Sequence, residues 1–166
     1  MDVIQTRHDG FQLRLGTPDD AALVVAYMKK LGAYQKMLDK ITATEASIHQ
    51  LLSENKGEAI FGELGGETVG FIYFYQNSSA FTGQSGLYID GFFIDQQVQS
   101  KGLGQIMIAY MAKLALQRGC QRLEWGCLDW NEPAINFYRK MGAYSVDEMT
   151  IYRFSAEQLA EHATRF

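Results

Sequence analysis

The chain has only two prolines and two cysteines among 166 residues. So few prolines argue against long linkers and disordered tails, which are rich in them. Cys120 and Cys127 do not form a CxxC pair, so neither a redox motif nor a cysteine-based metal knuckle is expected. They read either as packed side chains or as thiols whose partner arrives by folding. His8, His49 and His162 are the only histidines and lie far apart, so no metal site is expected. Long apolar runs are also missing. None approaches the roughly 20 residues of a membrane helix, and Met1 to Phe11 is too polar for a signal peptide. The formal charge of -4 leaves no basic footprint for nucleic acid. A cytoplasmic protein with reduced thiols, bound to neither membrane nor nucleic acid, is the expectation.

Apolar residues make up 47% of the chain, enough for a core, and aromatics make up 13%. The length suits a single domain spanning residues 1–166, with no internal repeat. Phe11–Leu15 alternates as a strand should. Thr17-Pro18-Asp19-Asp20 is a helix entry, and the helix is expected to run to about Leu31 and stop at Gly32. Thr44 would cap a second helix. Glu58–Leu64 and Glu67–Tyr75 read as strands joined by a tight Gly65-Gly66 turn. A polar loop over residues 76–86 is expected to lead to a strand at Leu87–Ile94. Leu103, Met107, Tyr110 and Leu114 recur at helical spacing, and Arg118-Gly119 closes that helix. Arg122–Leu128 and Met149–Phe154 read as strands. Asn131 would cap a helix ending at Gly142, and Ser155 would cap a last short one. Hairpin strands followed by a strand-helix-strand crossover imply a mixed α+β sheet with helices on both faces.

Gln99-Ser100-Lys101-Gly102-Leu103-Gly104-Gln105 lies where the strand pattern gives way to a helix. Backbone N–H groups at a helix start are unpaired and mildly positive, and successive ones in a glycine turn form a nest for an anion. A pyrophosphate fits that chemistry; an ordinary loop before an ordinary helix is the plainer alternative. The spacing is neither a P-loop nor a dinucleotide fingerprint. Trp130–Ala143 follows the next strand: Asn131 can cap or bind an amide, and Tyr138 can be core or a phenol acid.

Together these segments resemble the GNAT superfamily of acetyl-CoA-dependent N-acetyltransferases. Its pyrophosphate motif, Gln/Arg-x-x-Gly-x-Gly/Ala, matches Gln99–Gly104. Its second motif matches Asn131, Ala134, Phe137, Tyr138, Gly142 and Ala143. Within the superfamily the chain resembles the diamine (spermidine/spermine) acetyltransferases, most strongly over Tyr88–Ala143. The resemblance implies a mostly antiparallel twisted sheet of six to seven strands with helices on both faces. It also implies a strand pair splayed near Ile94 and Cys127, opening a gap for the cofactor.

The resemblance further implies direct acetyl transfer from acetyl-CoA, without a metal, to a primary amine of a small molecule. The amine attacks the thioester and the thiolate leaves. Backbone N–H groups of Ser100–Gln105 would cradle the pyrophosphate, while Phe92, Phe93 and Ile94 pair with the pantetheine. Asn131, Ala134, Phe137 and Tyr138 complete the cofactor residues. Tyr138 is the candidate acid and Asp90 the candidate base, directly or through water, unless Asp90 serves a structural partner. Tyr34, Gln35, Asp90, Glu124 and Trp125 are the candidate substrate residues. Gln35 and Gly91 stand where the diamine enzymes carry acids, so a less charged, amino-acid-like amine fits as well as a polyamine. A protein- or peptide-directed acetyltransferase and a non-catalytic acetyl-CoA sensor are the alternatives. The resemblance also implies a homodimer.

Overall fold

In the computed structural model, which describes residues 2–166, the chain divides into two compact units that meet between Asp129 and Trp130. The first holds a six-stranded sheet in sequential order, built from β1 (Val3–Gln5), β2 (Phe11–Leu15), β3 (Glu58–Leu64), β4 (Glu67–Ser79), β5 (Gln84–Ile94) and β6 (Arg122–Trp125). Every neighbouring pair is antiparallel except β5 and β6, which run parallel and need the helical crossover α3 (Leu103–Gln117) between them. Before β3 come α1 (Ala21–Tyr34) and α2 (Glu45–Ser53).

The β3–β4 hairpin closes as its glycines demand. Gly65 and Gly66 have φ of +60° and +86°, the left-handed pair that a two-residue turn requires. The entry to α1 is a single 3-10 turn, Pro18–Asp20. There the Asp20 carboxylate accepts the Thr17 N–H at 2.8 Å and takes both Arg14 guanidinium nitrogens at 2.9 and 3.0 Å. α1 does not stop at Gly32. That residue is buried against Ile41, and the helix turns out only at Gln35 and Lys36, where φ reaches +59°. Thr44 caps α2, accepting the Ser47 N–H at 3.1 Å.

Strand alternation divides the core between two faces. Ala59, Phe61, Phe71 and Tyr73 bury against Ala21, Val24 and Tyr27 of α1 and Ile48 and Leu52 of α2. On the other face Met107 of α3 lies over Gly62 and Gly70, and the buried stripe Leu103, Met107, Ile108 and Met111 covers the sheet. Helices therefore flank both faces, as expected.

Four other segments differ from expectation, the first being β6, which stops at Trp125 rather than at Leu128. Val3–Gln5 adds an edge strand beside β2. Residues 76–86 are not one polar loop: β4 continues to Ser79, and β5 starts at Gln84 opposite it. Their ladder hydrogen bonds need no apolar side chain, so hydrophobicity does not report them. Met149–Phe154 forms no strand, and its apolar side chains stand exposed.

The second unit contains α4 (Glu132–Lys140) and α5 (Ala156–Ala163). Both start at caps read from the sequence. Asn131 accepts the Ala134 N–H at 3.4 Å, and Ser155 accepts the Gln158 N–H at 3.2 Å.

Candidate active site

β5 organises the candidate residues of the first unit. Tyr73 of β4 pairs with Gly91, and Phe74 with Ile89, so Asp90 is an extra residue, a β-bulge. The bulge aims the Asp90 carboxyl to the face that carries Tyr73, Tyr75 and Tyr88. The Asp90 charge opposes ionisation of all three phenols, after the larger effect of burial. Asp90 is exposed, and its carboxyl accepts no hydrogen bond from the described residues. Surrounding protein still desolvates it enough to push it above the ordinary Asp range. A carboxylate so placed is a better base than a solvated one.

Beyond the bulge, β5 loses its neighbour on one side. The parallel ladder with β6 ends at Ile89 opposite Trp125, while β5 runs on to Ile94. Residues 90–94 therefore present an unpaired strand edge toward the point where the chain leaves β6, the splay expected near Ile94 and Cys127. The Cys127 thiol is pushed up, first by burial and then by the Asp129 charge, which favours the packed reading over a reactive one. Phe93 turns toward α1, its ring 6.5 Å from Tyr27 and 6.3 Å from Tyr34. Ile94 turns to the α3 side against Gly70, and half-buried Phe92, paired with Ile72, shares that side.

The glycine turn follows a 3-10 segment, Gln96–Val98. Gln99 donates its side-chain amide to the Ile94 carbonyl at 2.9 Å and so staples the turn to β5. Ser100 and Gly102 both adopt left-handed backbone, with φ of +70° and +78°. The turn closes at these two positions, whereas Gly104 lies inside the first turn of α3. A Cβ on Gly102 would meet nothing within 4 Å, so the turn is open. No side chain caps α3, Leu103 anchors it in the core, and Lys101 and Gln105 are exposed. An anion of pyrophosphate size fits uncapped N–H groups in an open left-handed turn.

Asp95, which precedes this turn, is buried. It accepts Lys30 Nζ at 2.9 Å and the Tyr27 hydroxyl at 3.1 Å. Burial, then the Asp95 charge, raises the Tyr27 phenol far above its usual range. This network ties α1 to the end of β5 and lines a cleft of about 450 Å³ with Tyr34, Phe93, Gln96 and Gln97. Gln35 is half-buried at the α1 terminus. Glu124 pairs in register with Tyr88 and shares its face, held by Arg122 at 3.4 Å. Trp125 pairs with Ile89, and alternation sets it on the α3 side, away from Asp90.

In the second unit Asn131 is buried at the head of α4, and Ala134, Phe137 and Tyr138 are half-buried. The Phe137 and Tyr138 rings lie 5.5 Å apart.

Asp90 and the turn are candidates from the sequence alone, whereas Tyr73, Tyr75 and Tyr88 are not. Their period-two spacing in "YFY" and "LYID" was visible, but only the register of β4 and β5 brings them around Asp90.

The chain belongs to the acetyltransferase (GNAT) family, whose model matches residues 24–143. Among curated proteins it is similar to the L-ornithine N5-acetyltransferase of Arabidopsis thaliana, with 37% identity over 54% of this chain and 40% of that protein. It is 29% identical to the human spermidine/spermine N(1)-acetyltransferase-like protein 1, over 96% of this chain but 24% of that protein. The thialysine N-epsilon-acetyltransferase of Caenorhabditis elegans is 29% identical over 77% of this chain and 79% of its own length. The chain thus spans well under half the length of the first two relatives. A solved integron cassette protein from the mobile metagenome of V. cholerae shares the fold, with a TM-score of 0.76 and 23% identity over 94% of this chain and 99% of that one.

Proposed function

We propose that the chain is an N-acetyltransferase that moves the acetyl group of acetyl-CoA directly to a primary amine of a small molecule. One observation carries this reading. The unpaired edge of β5 starts at the Asp90 carboxylate, pushed up by the surrounding protein, and leads through a 3-10 segment to an open, uncapped glycine turn. Backbone N–H groups of residues 100–105 would hold the pyrophosphate, and residues 92–94 would hold the pantetheine as a strand neighbour. Acetyl-CoA supplies the activated acetyl group when bound. Asp90 would accept the proton of the attacking amine, directly or through one water. Tyr138, assigned by its motif match, would donate its phenolic proton to the departing thiolate. Tyr34, Gln35 and Glu124 would contact the amine substrate. Of the relatives' named substrates, ornithine and thialysine are amino acids with a side-chain amine and support an amino-acid-like acceptor, whereas spermidine and spermine support a polyamine.

A single catalytic domain, a homodimer and a cytoplasmic location are parts of the same proposal. Exposed Met149, Ile151, Tyr152 and Phe154 support the dimer, since such a run is a candidate interface.

The test is amine-dependent release of CoA from acetyl-CoA, across ornithine, thialysine, putrescine, spermidine and short peptides. Turnover on a small amine that falls about 10²-fold in Tyr138→Phe is expected. Turnover on peptides alone would make the chain a peptide acetyltransferase. Acetyl-CoA binding without turnover on any amine would make it a sensor.

A further inference from the structure

Asp90 is the candidate base, and the side chains around it also define what it can receive. Tyr75 and Tyr88 pair in register on the Asp90 face, with ring centroids 5.4 Å apart and planes tilted by 31°. Both are half-buried, so each keeps ring surface open to solvent. The Tyr88 hydroxyl lies 3.4 Å from where a Gly126 Cβ would sit, so its phenol reaches the point where β6 leaves β5. Tyr73 is buried, its phenol folded over Gly57, and closes the back of this face.

Next to this carboxylate in β5 stands Gly91 rather than a second acid. A Cβ on Gly91 would lie 2.8 Å from the Met28 sulfur and 3.1 Å from Phe71, so the core already fills the space of a second side chain. Glu124, on the same face and close enough for its charge to act on the Tyr88 phenol, is held by Arg122 at 3.4 Å, which leaves Asp90 as the carboxylate beside the rings without a charge partner among the described residues. Two partly exposed aromatic rings beside one unpaired carboxylate suit a single alkylammonium group, held by cation–π attraction and one charge pair. A polycation would need further carboxylates along its length.

We infer that Tyr75 and Tyr88, with Asp90, form the specificity pocket for one ammonium centre, so that the acceptor is a compact amine with a single cation at the reacting end. This rests on the proposed acetyltransferase reading and narrows its substrate class. Tyr75 and Tyr88 act here as recognition surfaces rather than as proton carriers.

The test avoids turnover, so its failure is separable from failure of the activity itself. Tetramethylammonium cannot be acetylated and serves as the probe. Its binding would be followed by the ring NMR signals of ¹³C-tyrosine-labelled protein, in wild type, Tyr88→Phe, Tyr88→Leu and Asp90→Asn. Retained melting temperature serves as the folding control. Tyr75 and Tyr88 signals are expected to shift on titration. Tyr88→Phe, which keeps the ring, should bind as wild type does. Tyr88→Leu should weaken binding about 2- to 30-fold, and Asp90→Asn should weaken it too. A bis-quaternary diammonium alkane should bind no more than about twice as tightly, its statistical factor. Equal binding by Tyr88→Leu and wild type, or absence of ring shifts, would overturn the proposal. So would a large preference for the dication.

Discussion

Residues 2–129 and 130–166 are held in different ways. Every buried apolar side chain of the described structure lies in the first unit, at or before Cys120. In the second unit Asn131 is the only buried residue, and everything from Tyr144 onward is exposed. The sheet unit draws its stability from burial on two faces. The second unit shows capped helices with no core of its own. The candidate chemistry is divided in the same way, with Asp90 and the glycine turn on the packed scaffold and Tyr138 on a cap-started helix.

The contrast predicts a graded series of effects. Phe71→Ala removes a fully buried ring between α1 and the sheet and should cost about 3–5 kcal/mol in denaturant unfolding. A loss below about 1 kcal/mol would mean that burial on this face is not what holds the sheet.

Asp20→Asn should cost about 1.5–3 kcal/mol at neutral pH by breaking the two-pronged Arg14 pair. Burial alone would raise the Asp20 carboxyl, but its bonds to Arg14 and Thr17 outweigh that and hold it below the ordinary range. The folded state therefore favours the charged form. Its contribution is full above the unfolded Asp pKa of about 3.9 and fades as pH falls through the lowered folded value. Urea midpoints of variant and wild type should converge in acid. A constant gap would show that charge is not the cause.

Gly102→Val places a branched side chain at φ +78° and should cost about 1–2 kcal/mol, with acetyl-CoA binding weakened at least about tenfold by calorimetry. Unchanged affinity would remove the turn from the cofactor site. The smallest effect is in the second unit, where Asn131→Ala should cost about 1 kcal/mol, seen as reduced helicity by circular dichroism.

How much of this was legible depended on whether the signal was local. Thr44, Asn131 and Ser155 announced their helices because a cap is written within four residues. Gly65-Gly66 announced its hairpin for the same reason. The β4–β5 extension went unread because the two strands outrun the core, leaving only backbone bonds to hold them. Met149–Phe154 misled in the opposite way, since its alternation is that of a strand but no described strand pairs with it. The Asp90 bulge is a mismatch of register between two strands, which neither strand alone contains. The tyrosine setting of Asp90 became visible only with that register. Ser100 gave no hint of its left-handed backbone, a conformation that serine rarely adopts.

The most direct test of the account is the pH dependence of kcat/KM for amine-dependent CoA release, in wild type and Asp90→Asn. The wild-type rate should rise with pH through a limb above the ordinary Asp range, because the base must be ionised and the surrounding protein pushes its carboxyl up. In Asp90→Asn that limb should vanish and the rate should fall about 10²- to 10⁴-fold. A variant that keeps both the wild-type rate and the wild-type profile would contradict the account.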